Sequence, residues 1–168
     1  MTMFEGLSRH RANKPTIRIT APVVSAFPGT GKSSLFNSTT QFKYAMLDSD
    51  SSTFPKEGFP ANYISHISRM LDQTKLLMVS SHLEVREAMF NAGIPYILVC
   101  PDAALKEEYL ARYKDRGSPQ AFVDLMDKSW DTFVQSCLTD SYAITVRILG
   151  SGQYLSDVIA PCCSWRLS

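Results

Sequence analysis

A chain of 168 residues, 45% apolar and 20% charged, suffices for one domain with a buried core and is too apolar for disorder throughout. A formal net charge of +1 provides no global basic field for nucleic acid, so a polyanionic partner would have to be met by a local groove. No secretory apolar segment follows Met1 and no apolar run reaches the roughly 18 residues of a spanning helix, so the expectation is a soluble, cytoplasmic protein with no membrane partner.

Residues 1–20 hold Arg9, Arg11, Lys14 and Arg18 against Glu5 alone and read as a flexible basic arm. The domain proper is expected over residues 21–160, with 161–168 as a tail. "APVVSAF" (21–27) is a buried-strand pattern running into a glycine-rich loop, and "SSLFN" (33–37) starts a helix. "FKYAMLDSD" (42–50) is a second strand ending in carboxylates. "SDSSTFPKEGFP" (49–60) is a polar loop broken by Pro55, Gly58 and Pro60. "ANYISHISRMLD" (61–72) places Tyr63, Ile64, Ile67 and Leu71 at helical spacing. "KLLMVSS" (75–81) is a third strand, "LEVREAMFNAG" (83–93) a helix closed by Gly93, and "PYILVC" (95–100) a fourth strand. Two helices follow, "ALKEEYLARYKDRG" (104–117) and "PQAFVDLMDKSWDTFVQSCL" (119–138). "YAITVRIL" (142–149) is a fifth strand. Apolar strands separated by helices predict an α/β fold: a five-stranded parallel sheet with helices on both faces. Tyr109, Tyr113, Phe122, Met126, Trp130 and Phe133 read as core. Cys100, Cys137, Cys162 and Cys163 form no C-x-x-C pair and read as reduced thiols.

The chemistry concentrates in "VVSAFPGTGKSS" (23–34). The phosphate-loop pattern is G-x-x-x-x-G-K-[ST], and Ala26 stands where the first glycine is usual. Such a loop needs small residues whose N–H groups converge on phosphate oxygens, a lysine for the β/γ oxygens and a hydroxyl for Mg²⁺. Gly29, Gly31, Lys32 and Ser33 supply these between a strand and a helix N-terminus. The residues expected to hold the nucleotide are Phe27, Pro28, Gly29, Thr30, Gly31, Lys32, Ser33 and Ser34, with ATP and Mg²⁺ as cofactors. Ala26 is small enough for the turn to accommodate.

The second strand ends "LDSDSS". Asp48 and Asp50, two apart in an extended segment, can face one site at the carboxyl edge of the sheet. Asp48, nearer the strand end, is assigned with Ser33 to the metal, on the expectation that its strand neighbours that of the loop. Asp50 is assigned as the base that takes a hydroxyl proton. A solvated acidic loop or a helix cap is the simpler alternative for the pair. The third strand carries Ser80 and Ser81 instead of a carboxylate, which weakens a hydrolase or switch reading; His82 is taken as structural or capping. A lid is expected around 103–120, where Arg112 and Arg116 lie four apart and suit phosphate oxygens. Ion pairing of that helix face with Glu107 and Glu108 is the alternative. Lys32, Asp48, Asp50, Arg112 and Arg116 are thus the candidate catalytic residues.

Together, "SAFPGTGKSS", "LDSDSS", "FPANYISHI", "VSSHLEVREAM" and "LKEEYLARYKDRGS" resemble the small bacteriophage P-loop kinases of the nucleotide and polynucleotide kinase group, in particular the 5-hydroxymethyluracil DNA kinases. The resemblance covers roughly residues 23–135. It implies ATP-dependent transfer of a phosphoryl group to the hydroxymethyl group of 5-hydroxymethyluracil in phage DNA, within the host cytoplasm. The division of labour between Asp48 and Asp50 follows the same resemblance. Residue chemistry alone leaves three readings open: a DNA kinase, a kinase of free nucleosides or nucleotides, and a nucleotide-binding scaffold or weak ATPase.

Overall fold

The computed structural model describes residues 8–11, 23–33, 35, 46–72 and 76–158, and the side chains of 8–11 and 46–48 lie outside that description. The strands are β1 (Ser8–Arg11), β2 (Val23–Ala26), β3 (Met46–Asp48), β4 (Leu76–Ser80), β5 (Tyr96–Pro101) and β6 (Thr145–Leu149). The helices are α1 (Ala61–Leu71), α2 (Leu83–Asn91), α3 (Lys106–Asp115), α4 (Gln120–Leu138) and the short α5 (Leu155–Val158). Short 3₁₀ turns occupy Ser51–Thr53 and Ala103–Leu105.

All strand pairs are parallel, in the order β1-β6-β5-β2-β4-β3. Two expectations are corrected here. The sheet has six strands, not five, because Ser8–Arg11 adds an edge strand alongside β6, so these four residues are not a flexible arm. In addition, β3 does not neighbour β2: β4 lies between them, so Ser80–His82 stand between the loop after β2 and the carboxylates after β3.

The continuous apolar runs of β2, β4 and β5 are buried on both faces, as a covered parallel sheet requires. Successive residues alternate between two cores. Val23, Leu77, Val79, Tyr96, Leu98 and Val146 meet α1 to α4 on one face. Val24, Ala26, Met78, Ile97 and Val99 meet Leu35, Leu155 and Val158 on the other. In α4, Val123, Met126, Trp130, Val134 and Cys137 recur at three- and four-residue spacing and are all buried. Tyr109, Tyr113, Met126 and Trp130 are core residues as expected, with Phe122 and Phe133 packed against them. Cys100 and Cys137 are buried free thiols, and burial pushes the Cys137 thiol up to about 11. No helix among the described residues is long and apolar enough to cross a membrane.

The chain leaves β2 for β3 and β4 on one side, then crosses to β5 and β6 on the other. This makes the carboxyl end of β2 a topological switch point, where parallel sheets open a crevice for ligands.

Candidate active site

At that end, Phe27 keeps pairing with the sheet by donating its N–H to the Val99 carbonyl at 2.9 Å. Its ring is 2% exposed and meets Tyr109 and Trp130 edge-on, with centroids 6.3 and 5.6 Å away. The chain then turns through Gly29 (φ +86°) and Gly31 (φ +94°), a region that only glycine enters readily. Among the described residues no non-glycine has positive φ, so nothing in the backbone at Ala26 demands glycine. Its methyl group packs into the second core. Lys32 and Ser33 open the following helix, whose first turn is closed by the Leu35 N–H on the Gly31 carbonyl at 2.9 Å.

Three successive carbonyls of the loop are held from outside. The Tyr113 hydroxyl donates to Pro28 at 2.8 Å, Arg112 Nη1 to Gly29 at 2.9 Å, and the Leu155 N–H to Thr30 at 2.8 Å. In a planar trans peptide the C=O and the next N–H point in opposite directions. Fixing the Pro28 and Thr30 carbonyls therefore directs the N–H groups of Gly29 and Gly31 away from α3 and α5. Among the described residues nothing accepts from either N–H. Thr30 closes the turn itself: its N–H and hydroxyl both donate to the Phe27 carbonyl, at 3.3 and 2.7 Å. Of the eight residues expected to hold nucleotide, Phe27, Pro28 and Thr30 therefore shape the loop. Gly29 and Gly31 form the positive-φ turn, Lys32 and Ser33 open the helix after it, and Ser34 lies outside the described residues.

On the far side of β4, Asp48 is the last residue of β3 and pairs with Met78, while its side chain lies outside the description. Asp50 is exposed and caps the 3₁₀ turn, with Oδ1 accepting the Ser52 N–H at 2.9 Å. The capping alternative is thus realised at Asp50, on a carboxylate that still faces solvent. Burial works to raise its carboxyl. The hydrogen bonds from Ser52 and the positive charges of Lys32 and Arg116 outweigh that and hold it below its ordinary value of 3.8. Lys32 and Arg116 thus add to the Ser52 hydrogen bonds in favouring the ionised form of Asp50.

His82 stands at the end of the intervening strand and caps α2, its carbonyl accepting the Val85 and Arg86 N–H groups at 3.0 Å each. Burial lowers the imidazole below its ordinary value; Lys32 and Arg86 push the same way, Glu84 and Asp50 against.

The two lid arginines differ. Arg112 Nη2 pairs with Glu108 at 3.0 Å and donates to the Gln153 carbonyl at 3.1 Å, in addition to the Gly29 bond. The guanidinium lies between the rings of Tyr109 and Tyr154, 4.4 and 3.9 Å from their centroids. The helix-face ion pair is therefore realised at Glu108, and Arg112 is fastened to the loop. Arg116 is exposed, rests over Tyr113 and Phe122, and donates to the Ser118 hydroxyl.

Sequence reasoning missed the network behind the crevice. Arg86 and Asp140, both buried, pair at 2.5 Å. Arg86 also donates to the Ser81 carbonyl and to Ser136, and Asp140 accepts from the Tyr96 hydroxyl and from the N–H groups of Tyr142 and Ala143. The only sequence signal was a lone arginine on the apolar side of α2.

No protein-family model matches the chain, and no curated protein does. The residues present fit a magnesium-bound nucleotide polyphosphate: two backbone N–H groups of a glycine turn, a lysine and a serine. Among the described residues no cluster of three His, Cys, Asp or Glu side chains is close enough to hold a metal, and Ser33 is the described residue that would hold a nucleotide-bound ion.

Proposed function

We propose that the protein is an ATP-dependent kinase that transfers the γ-phosphoryl group to a hydroxyl. One observation carries this reading: a turn with positive φ at Gly29 and Gly31 runs from the carboxyl end of β2 into a helix opened by Lys32 and Ser33, and Asp50 follows β3 at the same carboxyl edge of the sheet. A lysine and an ionised carboxylate across a phosphate cradle suit phosphoryl transfer, where catalysis is mostly positioning and charge stabilisation. Gly29 and Gly31 hold the phosphates through their N–H groups, and Lys32 offsets charge on the transferred and leaving groups. Asp50 takes the proton of the acceptor hydroxyl as its oxygen bonds to the γ-phosphorus and the bond to the β-phosphate oxygen breaks, releasing ADP. Arg116, exposed at the end of α3, is the lid cation for the transferred group. Magnesium would supply charge neutralisation on the phosphates, held by Ser33; the metal assignment of Asp48 stands on the motif resemblance alone, because β4 separates its strand from the loop.

The acceptor follows from the resemblance of the motifs: the hydroxymethyl group of 5-hydroxymethyluracil in DNA. The test is transfer of labelled γ-phosphate onto 5-hydroxymethyluracil DNA, unmodified DNA and free nucleosides side by side. Label on the modified polymer alone, with steep salt dependence, is the expected result. Label on the free nucleoside would replace this acceptor with a monomer. ATP binding with no labelled product would leave a scaffold. Lys32→Ala is the control, expected to lose transfer by on the order of 10² while remaining folded.

A further inference from the structure

Arg112 binds the loop through the Gly29 carbonyl, and none of its hydrogen bonds is of the kind a phosphate clamp would make. Its donors go to two backbone carbonyls, Gly29 and Gln153, and to the Glu108 carboxylate, while both faces of its plane are covered by Tyr109 and Tyr154. Only 10% of its side chain is exposed. Glu108, its partner, in turn accepts from the Ser151 hydroxyl at 2.6 Å and the Gly152 N–H at 3.1 Å. One guanidinium thus joins α3, the glycine loop and the turn at 150–154.

We propose that Arg112 is a positioning residue: it fixes the curvature of the loop at Gly29 and couples it to the turn after β6, so that the N–H groups of Gly29 and Gly31 are aligned before any ligand arrives. The inference rests on the reading of the loop as a phosphate site. The neighbouring contacts act in the same sense. Tyr113 holds the Pro28 carbonyl, and Leu155, immediately after the turn, holds that of Thr30. Tyr154 also lies against Gly31, where an added Cβ would meet its ring at 3.1 Å. The loop is thus gripped at three consecutive carbonyls by donors from α3 and α5. Lysine at position 112 keeps a charge near Glu108 but cannot bond two carbonyls and a carboxylate in one plane.

The experiment measures calorimetric affinity for ADP and for ATP, together with kcat at saturating ATP, in wild type, Arg112→Lys, Arg112→Ala and Tyr113→Phe; urea midpoints establish that each variant is folded. Alignment of the loop affects both nucleotides, because both carry the β-phosphate. The proposal expects both arginine variants to weaken ADP and ATP by the same factor, on the order of tenfold or more, with kcat within about threefold of wild type. Tyr113→Phe should show a smaller loss of the same kind. Unchanged ADP affinity with a hundredfold fall in kcat would make Arg112 a clamp on the transferred group and overturn the proposal. Wild-type affinities in Tyr113→Phe and Arg112→Lys alike would overturn it too, while leaving the loop as the nucleotide site. Wild-type protein that binds neither nucleotide would overturn the reading of the loop itself, and this inference with it.

Discussion

The hydroxyl of Tyr63 donates to the carbonyl of Ser49 at 2.8 Å, tying α1 to the residue between Asp48 and Asp50. The same oxygen accepts the Ser80 N–H at 3.2 Å, so one buried phenol spans the ends of β3 and β4. Tyr63→Phe keeps the ring but leaves the Ser49 carbonyl and the Ser80 N–H without this partner. A cost of about 1–3 kcal/mol is expected from urea unfolding. The transfer rate should fall with it, because Asp50 follows directly from Ser49, while ATP affinity measured by calorimetry stays near wild type.

Asp50 yields a prediction about pH. Its carboxyl lies below the ordinary 3.8, so the folded state binds its proton more weakly than the unfolded chain. The stability it contributes is therefore present above the unfolded value and is lost as pH falls through the lower folded value. As a base it remains ionised from pH 5 to 8, and kcat should show no acid limb from this group in that window. His82→Gln should give the same profile, which removes the imidazole as the source of any limb. Asp50→Asn should lower kcat by roughly 10²–10⁴ at every pH with ATP affinity unchanged, and Asp48→Asn should raise the Mg²⁺ requirement. Full kcat in Asp50→Asn, or a raised Mg²⁺ requirement in that variant alone, would reverse the assignment.

Arg86→Met tests the buried network. It leaves the Asp140 carboxylate with the Tyr96 hydroxyl and two N–H groups but without its cation, and it releases the Ser81 carbonyl. Breaking a buried pair in this way costs about 3–5 kcal/mol, which a urea midpoint would register directly. A loss under about 1 kcal/mol would show that the remaining donors suffice for Asp140.

Two loop substitutions should behave in opposite ways. Ala26→Gly removes a methyl group from the second core at a position with ordinary backbone, so transfer should persist with a destabilisation of roughly 0.5–1 kcal/mol from chain entropy and lost packing. Gly29→Ala places a Cβ 2.8 Å from the Tyr113 ring on a backbone with φ +86°, and should abolish ATP binding in a calorimetric titration. A marked gain of ATP affinity in Ala26→Gly would show that Ala26 impairs the loop.

Much of this architecture is carried by local pattern. The apolar runs of β2, β4 and β5 and the spacing of Val123 to Cys137 in α4 can be read from the chain, because burial on a fixed face imposes a period on the residues themselves. The need for glycine at 29 and 31 is equally local, since positive φ depends on the residue's own Cβ. Strand order is not local. Nothing in the composition of β3 and β4 says which lies beside β2, and the placement of Ser80 to His82 between loop and carboxylates follows from how the crossovers pack. Ser8–Arg11 illustrates the same limit: four polar residues become a strand only because β6 offers an unpaired edge. The role of Arg112 was beyond sequence for a further reason. A guanidinium suits phosphate and backbone carbonyls equally well, and the choice between them was made by the approach of Gly29, 83 positions earlier, and of Gln153, 41 later.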